Sequence, residues 1–126
     1  MGFRVSRECV DGPLRLLGIQ PTAGARGGYH KVRARGAWDF ALAGVATALQ
    51  LRDGRVERAR IVLSGAAPVP WRVAAAEAAL TGARLDARSA ARAAEAAIKG
   101  ADPLAGNGYK VDLFRGVIEE ALLALA

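Results

Sequence analysis

The sequence predicts an α+β domain: a small antiparallel sheet of three to four strands with about three helices packed on one face. Three observations predict it. Residues that alternate apolar and polar come first, and residues with helical spacing come after. Asp53-Gly54 divides two alternating runs, and a two-residue turn of that type joins antiparallel neighbours. Chain length of 126 residues suits one domain with a real core.

Residues 1–13 are mixed and end in the turn signal Asp11-Gly12-Pro13. Leu14 to Ile19 reads as a short strand. Pro21 to Gly28 reads as loop, because proline lacks an amide donor and the glycines cost backbone entropy to order. Phe40 to Leu51 is the first long strand. It places Val45, Thr47, Leu49 and Leu51 on one face and Ala46, Ala48, Gln50 and Arg52 on the other. The return strand, Arg55 to about Ser64, puts Glu57, Ala59, Ile61 and Leu63 on one face, with Glu57 near the turn where water reaches it. Arg58 and Arg60 take the other.

A rigid bridge follows, "SGAAPVPWR". Pro68 and Pro70 fix their own φ and hold Ala67 and Val69 extended. The first helix, Val73 to Thr81, has Val73, Ala76 and Leu80 at helical spacing and stops at Gly82. Asp86 caps a second helix that runs to Lys99 and stops at Gly100. Its apolar stripe is almost all alanine (Ala90, Ala93, Ala94, Ala97), so a neighbour can approach closely. The last helix, about Tyr109 to Leu125, carries Val111, Phe114, Val117, Ile118, Ala121, Leu122 and Leu125 as a broad apolar stripe.

Composition narrows the function. The formal charge is +6, mostly arginine, spread along the chain and interleaved with acids. No basic run with interleaved aromatics appears, so the charge reads as a solvated surface rather than a nucleic-acid site. No run reaches the length of a membrane span, and the N-terminus lacks the apolar core of a signal peptide. A single cysteine, Cys9, forms no internal disulfide and suits a reducing, cytoplasmic setting. One cysteine and one histidine do not make a metal site.

Motifs for chemistry are thin. The glycines of "AGARGGYHK" lead into a strand and lack the Lys-Ser/Thr of a phosphate loop. His30, Asp39 and Ser64 have no spacing that supports a triad, and no G-x-S-x-G elbow exists. Glu77 and Glu95, solitary on arginine-rich helices, read as surface ion-pair partners. Trp38 and Trp71 read first as core anchors and second as interface anchors. From residues alone the reading is a domain with no self-sufficient active site. A free-standing small binding or homo-oligomerisation domain, paired through the alanine-rich helix, is the alternative.

The order of motifs resembles the C-terminal domain of the FAD-binding medium subunit of molybdenum hydroxylases, the carbon monoxide dehydrogenase and xanthine dehydrogenase group. "LLGIQPTAGARGGYHKV" is similar to the family's strand, proline, small-residue loop and Tyr-x-Lys, here Tyr29 and Lys31. "WDFALAGVATALQLRDGRVERARIVLSGAAPVPWRVAAAEAALTG" is similar to its Asp-x-Ala strand, hairpin, Gly-x-Ala-Pro-x-Pro-x-Arg bridge and Glu-x-x-Leu-x-Gly helix. "GYKVDLFRGVIEEAL" resembles the closing Tyr-Arg helix, with Lys110 where arginine is usual. Ser64-Gly65 stands where Gly-Gly is frequent, and Gly106-Asn107-Gly108 replaces the usual aspartate and serine.

The resemblance implies an unmatched segment, 1–13, followed by a flavoprotein C-terminal domain, 14–126. It implies FAD as the cofactor, held mainly by an N-terminal domain whose glycine-rich loops this sequence lacks, and no metal in this chain. It implies partners: that FAD-binding domain, a molybdopterin large subunit and a 2Fe-2S small subunit. The residues it places at the edge of the FAD site are Asp39, Phe40 and Leu42.

Overall fold

The computed structural model describes residues 24–36 and 38–126. The expected strand at Leu14 to Ile19 and Cys9 lie outside them. Four strands, β1 (Ala25–Arg33), β2 (Ala41–Arg52), β3 (Arg55–Ser64) and β4 (Trp71–Arg72), form one antiparallel sheet in the order β1-β2-β3-β4. Three helices follow, α1 (Ala74–Leu80), α2 (Ala87–Ile98) and α3 (Tyr109–Leu123). The architecture is the one expected, with one refinement. α1 packs on β3 and α3 on β1 and β2, while α2 lies across α1 and α3.

The hairpin follows from its turn. Asp53 and Gly54 have φ of 52° and 72°, and Arg52 pairs with Arg55. Two successive positive φ values match the twist of the flanking strands, and the glycine takes one of them without steric cost. Val45, Thr47 and Leu49 are buried toward the helices, as alternation requires. On β3 the alternation breaks. Gln50 pairs with Arg58 and Leu51 with Val56, so Glu57 is the unpaired residue of a bulge. The bulge turns Val56 into the core and leaves Glu57 at the surface beside Arg52, 3.2 Å away. Glu57 therefore does not share the face of Ala59, Ile61 and Leu63.

The segment read as loop up to Gly28 is strand from Ala25 onward. Pairing of Gly27 with Ala48 and Gly28 with Thr47 overrides the glycines' own preference. The bridge also differs from a straight passage out of the sheet. Leu63 pairs with Trp71 and Val62 with Arg72, so residues 64–70 reverse the chain before α1 begins.

α2 starts as expected. The Asp86 carboxylate accepts from the Ser89 amide at 2.8 Å, and Ser89 Oγ accepts from the Asp86 amide at 3.0 Å, which closes a capping box. These bonds, led by the Ser89 amide, hold the Asp86 carboxyl below its ordinary pKa. Ala90, Ala93 and Ala94 are fully buried within the chain. Most of the alanine face is thus spent on α1 and α3, with Ala97 and Ile98 partly buried at its end.

Candidate functional site

The three residues expected at a cofactor edge lie at one end of the sheet, opposite the Asp53-Gly54 turn. Asp39 and Phe40 close the β1–β2 connection, and Leu42 is the second residue of β2. Asp39 is committed locally: Oδ1 accepts from the Phe40 amide at 2.9 Å, and Oδ2 lies 3.5 Å from Arg35 Nε. That clasp turns the flanking aromatics outward. Phe40 is 94% exposed and Trp38 is 98% exposed. Trp38 also holds φ at 51°, a strained value for a bulky residue, so the chain spends conformational energy to present it. Trp38 is not the core anchor expected. Neither is Trp71, which is 55% exposed on the short edge strand.

The start of the bridge packs on this end. Gly65 takes φ of 80°, and a Cβ there would sit 3.1 Å from the Leu42 carbonyl oxygen. Only glycine meets both demands. Its own carbonyl accepts from Lys110 Nζ at 3.0 Å, which ties the corner to the first turn of α3. Between the bridge and the α2–α3 loop lies a groove of about 380 Å³, floored by Leu63 and Phe114 and rimmed by Trp71, Lys99 and Leu104. It opens to solvent beside the exposed side chains of Trp71 and Leu104.

On the helix-free face of the sheet, Gly44 lies where a Cβ would collide with Ser64 Oγ and come within 2.6 Å of the Tyr29 hydroxyl. Those two hydroxyls are 3.2 Å apart. His30 is on the other face, its Nε2 3.4 Å from Glu120. The sheet therefore separates His30 from Ser64, and the two cannot form a triad with Asp39. Among the described residues no group of three or more His, Cys, Asp or Glu side chains could hold a metal ion. Among them, too, no helix is long and apolar enough to cross a membrane.

The strongest electrostatic cluster is one that residue-by-residue reading misplaced. Glu77 is buried, not a surface ion-pair partner. Its carboxylate accepts from Arg72 Nη2 at 2.7 Å and Nε at 3.0 Å, from Arg60 Nη1 at 3.2 Å and from the Ile61 amide at 3.1 Å. The reason lies at the sheet edge. β4 pairs only with Val62 and Leu63, and Val73 N–H still reaches the Ile61 carbonyl at 3.0 Å. The chain then turns into α1, and the Ile61 amide would lack an acceptor. Glu77 supplies it. Burial is the largest single influence on this carboxyl and raises its pKa. The Arg72 hydrogen bonds, the Ile61 amide and the two positive charges together outweigh it and hold the group below the ordinary carboxylate range. Arg72 is raised in turn, first by its hydrogen bond to Glu77. The signal was present in the spacing: Val73, Ala76, Glu77 and Leu80 form one inward stripe, and all four are buried. Glu95 does behave as a surface residue, 2.7 Å from Arg115 on α3.

Comparison with known proteins matches this chain to the model of the CO dehydrogenase flavoprotein C-terminal domain over residues 28–125. Among solved structures, a carbon monoxide dehydrogenase from Hydrogenophaga pseudoflava that lacks the Mo-pyranopterin moiety of its cofactor is 31% identical. It superposes with a TM-score of 0.77 over 86% of this chain and 39% of its own. Quinoline 2-oxidoreductase from Pseudomonas putida 86 is 26% identical, with a TM-score of 0.77 over 85% of this chain and 38% of its own. A reconstituted CO dehydrogenase from Oligotropha carboxidovorans is 25% identical, with a TM-score of 0.73 over 86% and 40%. This chain thus spans about two-fifths of the chains it matches. The family match takes in the exposed loop at Asp39 and Phe40, the bridge, Glu77 and all three helices, and on that ground the chain belongs to the CO dehydrogenase flavoprotein C-terminal domain family.

Proposed function

We propose that this chain is the C-terminal structural domain of the FAD-binding medium subunit of a molybdenum hydroxylase of the carbon monoxide or xanthine dehydrogenase type. It works in the cytoplasm beside an FAD-binding N-terminal domain, a molybdopterin large subunit and a 2Fe-2S small subunit. It closes one side of the FAD site and helps the complex assemble. In that complex electrons from hydroxylation at the molybdopterin travel through iron–sulfur clusters to FAD. The substrate is chosen elsewhere, on the large subunit.

The observation that carries this reading is the loop end of the sheet in a chain of this family. The clasp of Asp39 on the Phe40 amide and Arg35 presents Phe40 and Trp38 bare, next to Leu42 and the close-packed Gly65. Two flat, exposed aromatics suit the edge of a ring system, which is what FAD supplies together with its redox chemistry. They do not suit the whole cofactor. The groove between the bridge and the α2–α3 loop is open, and the glycines of β1 are paired in the sheet rather than cradling phosphate. The chain's own residues therefore wall the site, orient its edge and exclude water.

The test mixes the full chain with a separately purified FAD-binding fragment of a medium subunit. The chain alone retains no stoichiometric flavin. Added to the fragment, it slows flavin loss, and Phe40→Ala removes most of that effect. Stoichiometric flavin on the chain alone, or flavin loss indifferent to the chain, overturns the reading.

A further inference from the structure

The first residues of β2 are weakly held by the ladder. Ala43 pairs with Val32 and Ala41 with Arg33, so Leu42 is the extra residue of a bulge opposite β1. Pairing with β3 begins only at Gly44 and Ser64, so Leu42 has no ladder partner on that side either. What lies against it is the corner of the bridge. A Cβ on Gly65 would sit 3.1 Å from the Leu42 carbonyl oxygen and 3.6 Å from that of Ala41. The corner is held in turn by Lys110, whose Nζ donates to the Gly65 carbonyl at 3.0 Å. Among the described residues, this is the hydrogen bond that joins the helical layer to this end of the sheet.

Lys110 is badly placed for its own helix. It is the second residue of α3, where the positive end of the helix dipole disfavours a cation. Asp112 is the favourable charge in that turn, and Arg115 engages it at 2.7 Å. Lys110 forms no ion pair among the described residues. What its ammonium contributes is therefore the bond to Gly65. We infer that Lys110 is a positioning residue for the loop end: through Gly65 it fixes the bulge at Leu42 and, two residues earlier, the exposed ring of Phe40. That role rests on the reading of this end as a wall of the FAD site. Methionine at 110 would keep most of the side chain's bulk and leave the Gly65 carbonyl to water. The bulge would then be backed by a corner that is free to move. The core would stay closed, because Lys110 is not among the side chains that build it.

The test uses the full chain with the separately purified FAD-binding fragment. With the chain at saturation, Lys110→Met should speed flavin loss about threefold over wild type, the scale of one exposed polar contact. Lys110→Arg, which keeps a donor, should restore the slow rate. The melt of the Lys110→Met chain alone should fall by no more than about 4 °C. Arg26→Met is the control. It removes a bond of the same kind, from Arg26 Nη1 to the Leu125 carbonyl at 3.1 Å, nearer the Asp53-Gly54 end of the sheet, and should leave flavin loss unchanged. Amide spectra of the chain alone give a readout that needs no flavin. The Leu42 and Phe40 resonances should shift in Lys110→Met, return in Lys110→Arg and stay in place in Arg26→Met. If the wild-type chain slows flavin loss and Lys110→Met slows it equally, the inference is overturned and the FAD reading stands. If the wild-type chain does not slow it, the FAD reading falls, and the Leu42 and Phe40 resonances decide whether Lys110 positions the loop end. Unmoved resonances in Lys110→Met, or equal shifts in Lys110→Met and Arg26→Met, overturn the inference in either case.

Discussion

Replacing Glu77 tests the argument that a helix side chain completes the sheet. Glu77→Ala removes the acceptor of the Ile61 amide and the partner of two arginines. The orphaned buried amide alone costs about 1–3 kcal/mol. Arg72 and Arg60 are 55% and 42% exposed, so both rehydrate and their missing attraction adds less than a buried pair would. The total expected is about 3 kcal/mol, a fall in Tm of roughly 12–20 °C for a domain of this size. Glu77→Gln keeps an oxygen for Ile61 but turns an amide NH2 toward the guanidinium of Arg72, so about 1–2 kcal/mol is expected. Acid adds a second signature. The folded carboxyl titrates below its unfolded value, so its stabilisation is complete above the unfolded carboxylate range, about pH 4.3, and disappears as pH falls through the lower folded value. Wild type should therefore lose its advantage over Glu77→Gln in acid. Asp86 titrates in the same direction but is common to both proteins and cancels in their difference. Circular-dichroism melts from pH 7 downward measure both effects. A Glu77→Ala melt within about 2 °C of wild type, or a wild-type advantage over Gln that does not change with acid, would refute the reasoning.

Two further substitutions probe the corner where the site residues meet. Gly44→Ala pushes against Ser64 Oγ and the Tyr29 hydroxyl, both at the ends of movable side chains; the Tyr29–Ser64 hydrogen bond should break, and denaturant unfolding should show a destabilisation of about 1 kcal/mol. Pro68→Gly frees the exposed bridge in the unfolded chain and should lower Tm by about 2–8 °C; an unchanged melt would deny the bridge a structural role.

The periodic and capped elements were legible in the residues. The Asp53-Gly54 turn, the inward stripe of β2, the Asp86 cap and the α3 stripe rest on local rules that the tertiary fold leaves intact. What was not legible depends on pairing. Gly27 and Gly28 become strand only because β2 is beside them. Glu57 leaves the inner face only because a bulge turns Val56 inward. Trp38 and Trp71 look like core residues by size, yet the core is closed by Leu49, Ile61, Leu80, Ile118 and Leu122 without them. Asp39, Phe40 and Leu42 are candidates through the resemblance alone; the Asp39 bonds to the Phe40 amide and Arg35 depend on how the loop folds back, which no local rule gives.

The proline bridge and the buried glutamate are one device. Gly65 starts a reversal that the prolines then stiffen, and the chain returns as β4 only long enough to place Trp71 against Leu63 and Arg72 against Val62. Arg72 is thereby set where it can hold Glu77, and Glu77 where it can satisfy Ile61. Farther along the same edge the Val56 amide and carbonyl are met by Ala83 and Gly82 at 2.9 and 2.7 Å, and Arg60 covers the Ala59 carbonyl at 2.8 Å. An exposed edge strand invites pairing with other chains, and β3 is closed against it residue by residue. That closure leaves the loop end, where Phe40 and Trp38 are bare, as the part of the sheet whose large apolar side chains stay most open to solvent.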